Sequence, residues 1–157
     1  MARSYYRPLR SPEDLQSIFA LDLREADVEE IKASTGYNPV EALRFSIDLS
    51  EKVWVVIHED KIEGVFGVVR KETGGVPWFV ATDKFKEFRW TFAKESKKLV
   101  KELLEEYGTL ANFVMASHKE SIKWLEWLGF KLSPFTFPLC DPNVLFHYFV
   151  MEKGDSE

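Results

Sequence analysis

The stretch spanning residues 110–130 constrains the fold most, because a short apolar run leads through a polar break into an amphipathic helix. Ser117 is positioned to cap that helix, and Glu120 three residues later completes the pattern of a capping box. Gly129 suits the left-handed position after the last helical turn, where a side chain would be strained. The unit places His118 at the carboxyl end of the predicted strand, where open α/β sheets bind ligands. The same spacing also fits a strand and helix that pack together without a ligand.

The length and composition predict one folded domain with a substantial core. The chain has 157 residues, of which 45% are hydrophobic, and its aromatic residues include 13 Phe and 5 Trp. A chain of this size buries enough surface to fold alone, so we predict a single domain over residues 1–152 and a polar tail over residues 153–157. The formal net charge is −5 and no cluster of Lys and Arg stands out. Nucleic acid is therefore not expected as a partner.

The cysteine, histidine and hydropathy patterns argue against disulfide-bonded, metal-binding and membrane-spanning proteins. Cys140 is the single cysteine, which rules out an internal disulfide and a cysteine-based metal site. His58, His118 and His147 are far apart in the sequence and lack metal-ligand spacing, so no metal is predicted. No apolar run approaches the roughly 20 residues of a membrane span, and no secretory leader pattern is present. We therefore expect no membrane partner and a soluble protein in a reducing cytoplasm.

The order of predicted elements indicates a mixed α/β (α+β) domain around a central twisted mixed sheet. Capping residues before prolines predict helix starts at Pro12 and Pro39, and the first helical pattern continues or restarts through residue 31. A polar, aromatic connection is expected at residues 84–90, before a long amphipathic helix at residues 91–107. The order is β-α-α-β-β-β-α-β-α-β-β, with strands predicted at residues 5–10, 53–57, 62–69, 76–83, 113–116, 131–137 and 146–151.

Three local patterns accompany this order: a strand running into a capped helix at residues 7–15, a hairpin at residues 53–69, and the spaced positions His118, Ser121, Leu125 and Gly129-Phe130. Together they resemble the GNAT (acyl-CoA N-acyltransferase) fold from end to end. The third pattern matches the Asn…Ala…Tyr…Gly-Phe spacing of that family. The resemblance implies a GNAT-like sheet and acetyl-CoA or CoA as a ligand.

A narrower resemblance rests on residues 77–83, 106–114 and 118–125. These segments are similar to the phage internal virion protein A family, which consists of GNAT-like proteins of podovirus-type phages. The similarity covers most of the chain from about Asp22 onward and is strongest over residues 77–130. It implies a protein of bacteriophage virions or their assembly, present in the host cytoplasm or in the virion, with phage virion proteins as partners.

The GNAT resemblance also implies a set of site residues. Backbone groups near Val80 and Ala81 would orient the acyl thioester, and Asp83 would act as the general base through a water molecule. The remaining positions expected to hold the coenzyme are Arg89, Lys94, His118 and Ser121. Arg89 and Lys94 would hold phosphate by charge, and His118 replaces the Asn of the family pattern. For Arg89 and Lys94, solvated surface residues are the alternative interpretation.

Two departures from the family pattern bear on catalysis. Residues 83–94 contain no glycine, whereas GNAT enzymes hold the pyrophosphate on a glycine-containing loop before a helix. Leu125 stands where the family has the Tyr that acts as general acid, and a Leu side chain cannot donate a proton. The sequence therefore favours a degenerate acyltransferase site, with an active acetyl-CoA-dependent N-acetyltransferase of an unidentified amine as the alternative. The charged run at residues 24–30 is interpreted as a solvated helix face.

Overall fold

The computed structural model describes residues 4–154 and contains a mixed sheet with helices on both faces. Within these residues there are five helices, α1 to α5, with the bounds Pro12–Phe19, Glu25–Thr35, Pro39–Leu49, Phe85–Tyr107 and Lys119–Leu128. Strands β1 to β8 have the bounds Ser4–Pro8, Lys52–His58, Lys61–Lys71, Gly74–Ala81, Thr109–Met115, Lys131–Leu132, Phe137–Pro138 and Leu145–Glu152.

The sheet has the strand order β1-β2-β3-β4-β5-β8-β6, and β7 also pairs with β8. Strands β1 to β4 form an antiparallel meander. Strands β4 and β5 run parallel and are paired at Gly75 and Leu110, near the beginning of each strand. Beyond that point β4 and β5 diverge, which leaves a V-shaped gap in the middle of the sheet. The predicted fold class is confirmed.

The alternation of side chains along the central strands builds a separate core on each face of the sheet. Val56 and Phe66 point toward α4 and α5, while Val55 and Val65 point toward the side of α1 to α3. The first core contains a ring cluster in which Phe92 stacks on Trp124 with centroids 5.8 Å apart. Aromatic contacts of this kind, including Phe79 on Phe92 at 5.4 Å and Phe85 against Trp124 at 5.6 Å, fix α4 and α5 against the gap.

Two of the three helix starts predicted from a capping residue are confirmed. The side chains of Ser11 and Asn38 accept bonds from amides three residues later, at 3.3 and 3.0 Å, and prolines follow both caps. The chain restarts as α2 after a break rather than continuing α1. The capping box of Ser117 and Glu120 is wrong, because the N-cap is His118 and makes no side-chain cap bond.

The predicted connection at residues 84–90 is also wrong, because α4 already begins at Phe85. Phe85, Phe88 and Phe92 are buried on one side of the helix, and this spacing is that of a helical core face. Lys84 makes no side-chain cap bond, so the usual sequence signal of a helix start is missing here. The helix therefore occupies the segment that was expected to be a loop.

The C-terminal strands differ in length from the prediction. The run expected at residues 131–137 contains only the two-residue strands β6 and, at its end, β7, while β8 covers the expected last strand. The domain boundary at residue 152 stays a prediction, and residues 155–157 of the predicted tail lie outside the described residues. Among residues 4–154, no helix is long and apolar enough to cross a membrane.

A buried ion pair joins β1 to α1. Arg7 donates to both carboxylate oxygens of Asp14 at 2.8 and 2.9 Å, and the Arg10 amide donates to the same carboxylate at 3.0 Å. The hydrogen bond from Arg7 is the main reason that the pKa of Asp14 falls to about 2 from an ordinary 3.8. Asp14 therefore binds a proton more readily in the unfolded chain than in the folded one.

We expect the free energy of unfolding to fall as the pH drops from about 4 to about 2, because protonation of Asp14 favours the unfolded chain. Urea denaturation at a series of pH values measures this slope. The Asp14→Asn variant should show a shallower slope over this range, whereas the variant of its exposed neighbour, Glu13→Gln, should keep that of the wild type. An unchanged slope in Asp14→Asn would contradict the assignment.

Candidate functional site

The gap between β4 and β5 is the candidate functional site, because it interrupts the sheet at its centre. The Thr82 amide donates to the Glu63 carbonyl of β3. In an antiparallel ladder the hydrogen-bonded pairs alternate, so the backbone groups of Pro77, Phe79 and Ala81 face the gap. The gap is thus lined on the β4 side by main-chain polar groups that β5 does not reach.

Asn112 spans the narrow part of the gap. Its side-chain nitrogen donates to the Pro77 carbonyl at 2.7 Å, and its side-chain oxygen accepts from the Phe113 amide at 2.8 Å. One amide side chain therefore replaces the main-chain pairing that the divergent strands have lost. This contact fixes the separation of β4 and β5 just beyond their last paired residues.

The wide part of the gap is filled on its β4 side by the beginning of α2. The Asp27 carboxylate accepts from the Ala81 amide at 3.0 Å, and the Arg24 amide donates to the Ala81 carbonyl at 2.9 Å. The Arg24 guanidinium binds both carboxylate oxygens of Asp27 at 2.9 and 2.8 Å and lies 4.6 Å from the centre of the Phe85 ring. Burial raises the pKa of Asp27, while the charge of Arg24 opposes that shift.

On the β5 side, the gap holds Glu30 beside His118 and Ser121, and the sequence pattern had brought together only the last two. Glu30 accepts from the Met115 amide at 2.7 Å. Its carboxylate oxygen lies 3.7 Å from Nδ1 of the buried His118. Nε2 of His118 is 2.9 Å from the Ser121 hydroxyl oxygen. Nδ1 of His118 has no hydrogen-bond partner within the described part of the chain.

Glu30, Asp27 and His118 each offer a ligand atom within 4.8 Å of the others. The three residues come from α2 and from the N-cap of α5, so their proximity depends on the tertiary fold. Both oxygens of Asp27 already accept bonds from Arg24, and a cation would have to compete with that guanidinium. The predicted absence of a metal stays a prediction.

A cavity of about 310 Å³ lies at the gap and is lined by residues from the helices on both faces of the sheet. Most of its lining is apolar, with Phe79, Trp124 and Leu125 on the side of α4 and α5. Glu30 and Ser121 contribute polar atoms to the lining. A cavity of this size and composition suits a small apolar group that carries one polar end.

The residues predicted for a coenzyme site are only partly brought together. Val80 and Ser121 line the cavity, whereas its lining does not include the other predicted residues: Ala81, Asp83, Arg89, Lys94 and His118. Asp83 is exposed in the turn before α4, and Lys94 is exposed on α4. Arg89 forms an ion pair with Glu120 of α5 at 3.3 Å. The roles assigned to these residues stay predictions. The Ala81 amide, expected near the thioester, donates to Asp27.

The beginning of α4 does not fit a coenzyme pyrophosphate. The Thr82 hydroxyl and carbonyl accept from the amides of Lys84 and Phe85 at 3.2 and 3.0 Å. The Lys84 carbonyl accepts from the Glu87 amide at 2.8 Å. Amides that hold a phosphate at a helix start must point to the ligand, and these three already have partners. Asp83 and Glu87 at the same end balance the charges of Lys84 and Lys86, so this segment has no net positive charge for an anion.

The comparisons with known proteins support the fold. The sequence matches no protein-family model and no curated protein. The structure resembles a spermidine N-acetyltransferase from Vibrio cholerae crystallised with CoA and spermine, with a TM-score of 0.66, 13% identity and coverage of 97% of this chain and 96% of that one. The ribosomal-protein-S18-alanine N-acetyltransferase of Escherichia coli gives a TM-score of 0.61, 14% identity and coverage of 96% and 94%.

An N-acetyltransferase from Staphylococcus aureus is similar to the same extent, with a TM-score of 0.65, 15% identity and coverage of 96% and 98%. All three similarities extend over nearly the whole of both chains. Identities this low show a shared fold alone, and fold does not determine function. The chain therefore has the fold of the GNAT acetyltransferases, as the sequence predicted.

Proposed function

We propose that this chain is a GNAT-fold protein with a degenerate acyltransferase site that serves as a virion or assembly-associated protein of a bacteriophage. The degenerate site is inferred from the beginning of α4. There, a helix whose first amides already donate hydrogen bonds replaces a phosphate-binding loop. The virion or assembly role rests on the resemblance of residues 77–130 to the phage internal virion protein A family. That resemblance implies a location in the host cytoplasm or in the virion.

Two further observations support the loss of N-acetyl transfer. The Ala81 amide, which faces the gap, donates to Asp27 and is not free to polarise an acyl carbonyl. Leu125 stands where the family pattern has its acid, and it is buried in the lining of the cavity. The chain thus keeps the fold of an acyltransferase but lacks the phosphate-binding loop and the general-acid Tyr of the family pattern.

The outer surface of α4 and α5 supports a role in protein contacts. Trp90 and Trp127 are both exposed and meet edge to face, with ring centres 6.1 Å apart. The Lys97 ammonium lies 4.5 Å from the centre of the Trp127 ring. Exposed indole rings beside a cation are typical anchors of protein interfaces. Phage virion proteins are the partners that the resemblance implies for this surface.

Titration calorimetry with acetyl-CoA and with CoA tests the degenerate site. We expect no binding tighter than about 100 μM, which corresponds to about −5.5 kcal/mol, and no release of thiol with a panel of amines. The Arg89→Ala variant should behave like the wild type, since Arg89 is paired with Glu120. Binding tighter than that limit, weakened by Arg89→Ala, would contradict the proposal.

The assembly role is tested by quantitative mass spectrometry of purified phage particles. The chain should be present at a fixed number of copies per particle and should stay with the particle after high-salt washing. A Trp90→Ala/Trp127→Ala variant should be incorporated less, and Phe135→Ala, which removes a more exposed ring elsewhere, serves as the control. Particles of full composition and infectivity without the chain would contradict this role.

An active acetyl-CoA-dependent N-acetyltransferase is the second candidate function. The cavity favours it, because residues from both faces of the sheet line it and an acyl donor and an amine must meet at one point. The similar structures, which include a spermidine N-acetyltransferase crystallised with CoA and spermine, point in the same direction. Thiol release in the presence of acetyl-CoA and an amine would decide in its favour.

A further inference from the structure

His118, Ser121 and Glu30 form a chain of contacts that neither the acyltransferase pattern nor the proposed role explains. The Ser121 hydroxyl lies 2.9 Å from Nε2 of His118, and Nδ1 of the same ring faces a Glu30 oxygen at 3.7 Å. The order hydroxyl, imidazole, carboxylate is that of a nucleophilic serine with its base and its orienting acid, an arrangement recognised by geometry rather than by sequence position.

The surroundings of His118 select the tautomer that such a nucleophile requires. If Nε2 carried the proton, Nδ1 would present a buried lone pair toward the Glu30 carboxylate. If Nδ1 carries the proton, it lies 3.7 Å from that carboxylate oxygen and Nε2 accepts from the Ser121 hydroxyl. The second arrangement is electrostatically favoured, because it places a positive N–H end against a negative oxygen. At 3.7 Å this contact is electrostatic, and Nδ1 makes no hydrogen bond within the described chain.

Glu30 is held in place independently of His118. Its carboxylate accepts from the Met115 amide at 2.7 Å, and that bond orients the oxygen that faces the imidazole. Catalytic hydrogen bonds are often long in ligand-free proteins and shorten when substrate binds. The separation of 3.7 Å between Nδ1 and the carboxylate would have to shorten in this way for Glu30 to orient the imidazole.

Ser121 also has the position that an acyl-enzyme needs. It lines the cavity of about 310 Å³ and is only half-buried. It is the third residue of α5, so it lies in the first turn, where N–H groups lack partners within the helix. The positive end of the helix dipole stabilises a negative oxygen that develops there.

Ser96 provides a comparison within the same cavity. It also contributes to the lining, yet its hydroxyl donates only to the Ala93 carbonyl one turn earlier in α4. A local contact of that kind satisfies a helical serine without a histidine. Both contacts span three residues, so Ser121 differs from Ser96 only in its partner, a buried imidazole that lies 3.7 Å from a carboxylate oxygen.

We propose that Ser121 is the nucleophile of an acyl hydrolase site whose substrates are esters or thioesters with a small apolar acyl group. The Ser121 oxygen attacks the carbonyl carbon and its proton passes to Nε2 of His118. The bond to the leaving alcohol or thiol breaks, and His118 returns that proton to the leaving group. Water then attacks the Ser121 ester with His118 again as base, which releases the carboxylic acid and restores the hydroxyl. Glu30 is a positioning residue for the imidazole.

Labelling with diisopropyl fluorophosphate tests the nucleophile directly. Peptide mass spectrometry should locate one adduct per chain on Ser121, with none on Ser96. Ser121→Ala should abolish the adduct, His118→Gln should slow its formation at least tenfold, and Ser96→Ala should label at the wild-type rate. Absence of an adduct at Ser121 in the folded wild-type protein, or equal labelling in His118→Gln, would overturn the proposal.

Hydrolysis of p-nitrophenyl butyrate gives a second readout that does not depend on His118→Gln folding. The wild type should release a burst of about one equivalent of nitrophenol, and the Glu30→Gln variant should have a lower kcat with a KM within twofold of the wild type. A Glu30→Gln variant that changes KM alone, or turnover that survives in Ser121→Ala, would refute the assignment. Both tests omit CoA, so their outcome is separate from that of the coenzyme titration.

Discussion

Replacing Asp27 with alanine should lower the free energy of unfolding by about 3–5 kcal/mol, because the buried Arg24 would lose its counter-charge. Both residues are buried, and the two side chains share two short contacts. The substitution would also leave the Ala81 amide without its acceptor, and an unsatisfied buried donor is costly in its own right. Urea denaturation followed by circular dichroism measures the loss.

The control for this prediction is Glu25→Ala, which removes an exposed carboxylate from the first turn of the same helix. It should change the free energy of unfolding by less than about 0.5 kcal/mol. A double variant, Arg24→Met/Asp27→Leu, should lose less stability than Asp27→Ala, because apolar side chains replace both charges at once. Equal losses for Asp27→Ala and Glu25→Ala would show that the buried pair does not stabilise the fold.

Gly74→Ala should be the second large loss, at about 4 kcal/mol from backbone strain and overpacking together. Gly74 has a φ of +137°, and a Cβ there would lie 2.5 Å from the Thr109 carbonyl oxygen. The clash falls at the start of β4 and β5, directly beside the pairing of Gly75 with Leu110. The added methyl group would therefore push the two strands apart where they meet.

Gly108→Ala separates the two causes of that loss. Gly108 has a φ of +79°, but no atom lies within 4 Å of the place where its Cβ would be. The variant should therefore lose about 1–2 kcal/mol from backbone strain alone. Thermal and urea denaturation of both variants provide the comparison. If Gly74→Ala loses no more than Gly108→Ala, the close approach of β4 and β5 has little energetic weight.

Much of the fold was predictable, because its elements carry local signals. Caps followed by proline identified α1 and α3, and the apolar runs of β2 to β4 identified the meander. The start of α4 was missed, since its first turn contains Phe85 and Phe88 among charged residues and has no capping side chain. Without a cap, the remaining local signal was the helical spacing of Phe85, Phe88 and Phe92, and in the structure Phe85 packs against Trp124.

The candidate site was predictable only in part. His118 and Ser121 were identified from a spaced pattern, and the structure places them in contact. Their partner Glu30 belongs to a run of charges that was interpreted as a solvated face, yet Arg24 and Asp27 of the same run are buried. The sequence signal was the spacing of Asp27 and Glu30 by three residues, which places them on one side of α2. What faces that side depends on the gap in the sheet, which no local pattern encodes.

The carboxylates of α2 that bind the divergent strands have a consequence for the order of folding. Asp27 is 54 residues from Ala81, and Glu30 is 85 residues from Met115. Contacts between residues so distant in the sequence carry a large loop-closure entropy and form after the local hairpins. The Glu30 contact also requires β5, which follows α4 in the chain. We therefore expect the cluster at the gap to assemble only after β4 and β5 are both in place.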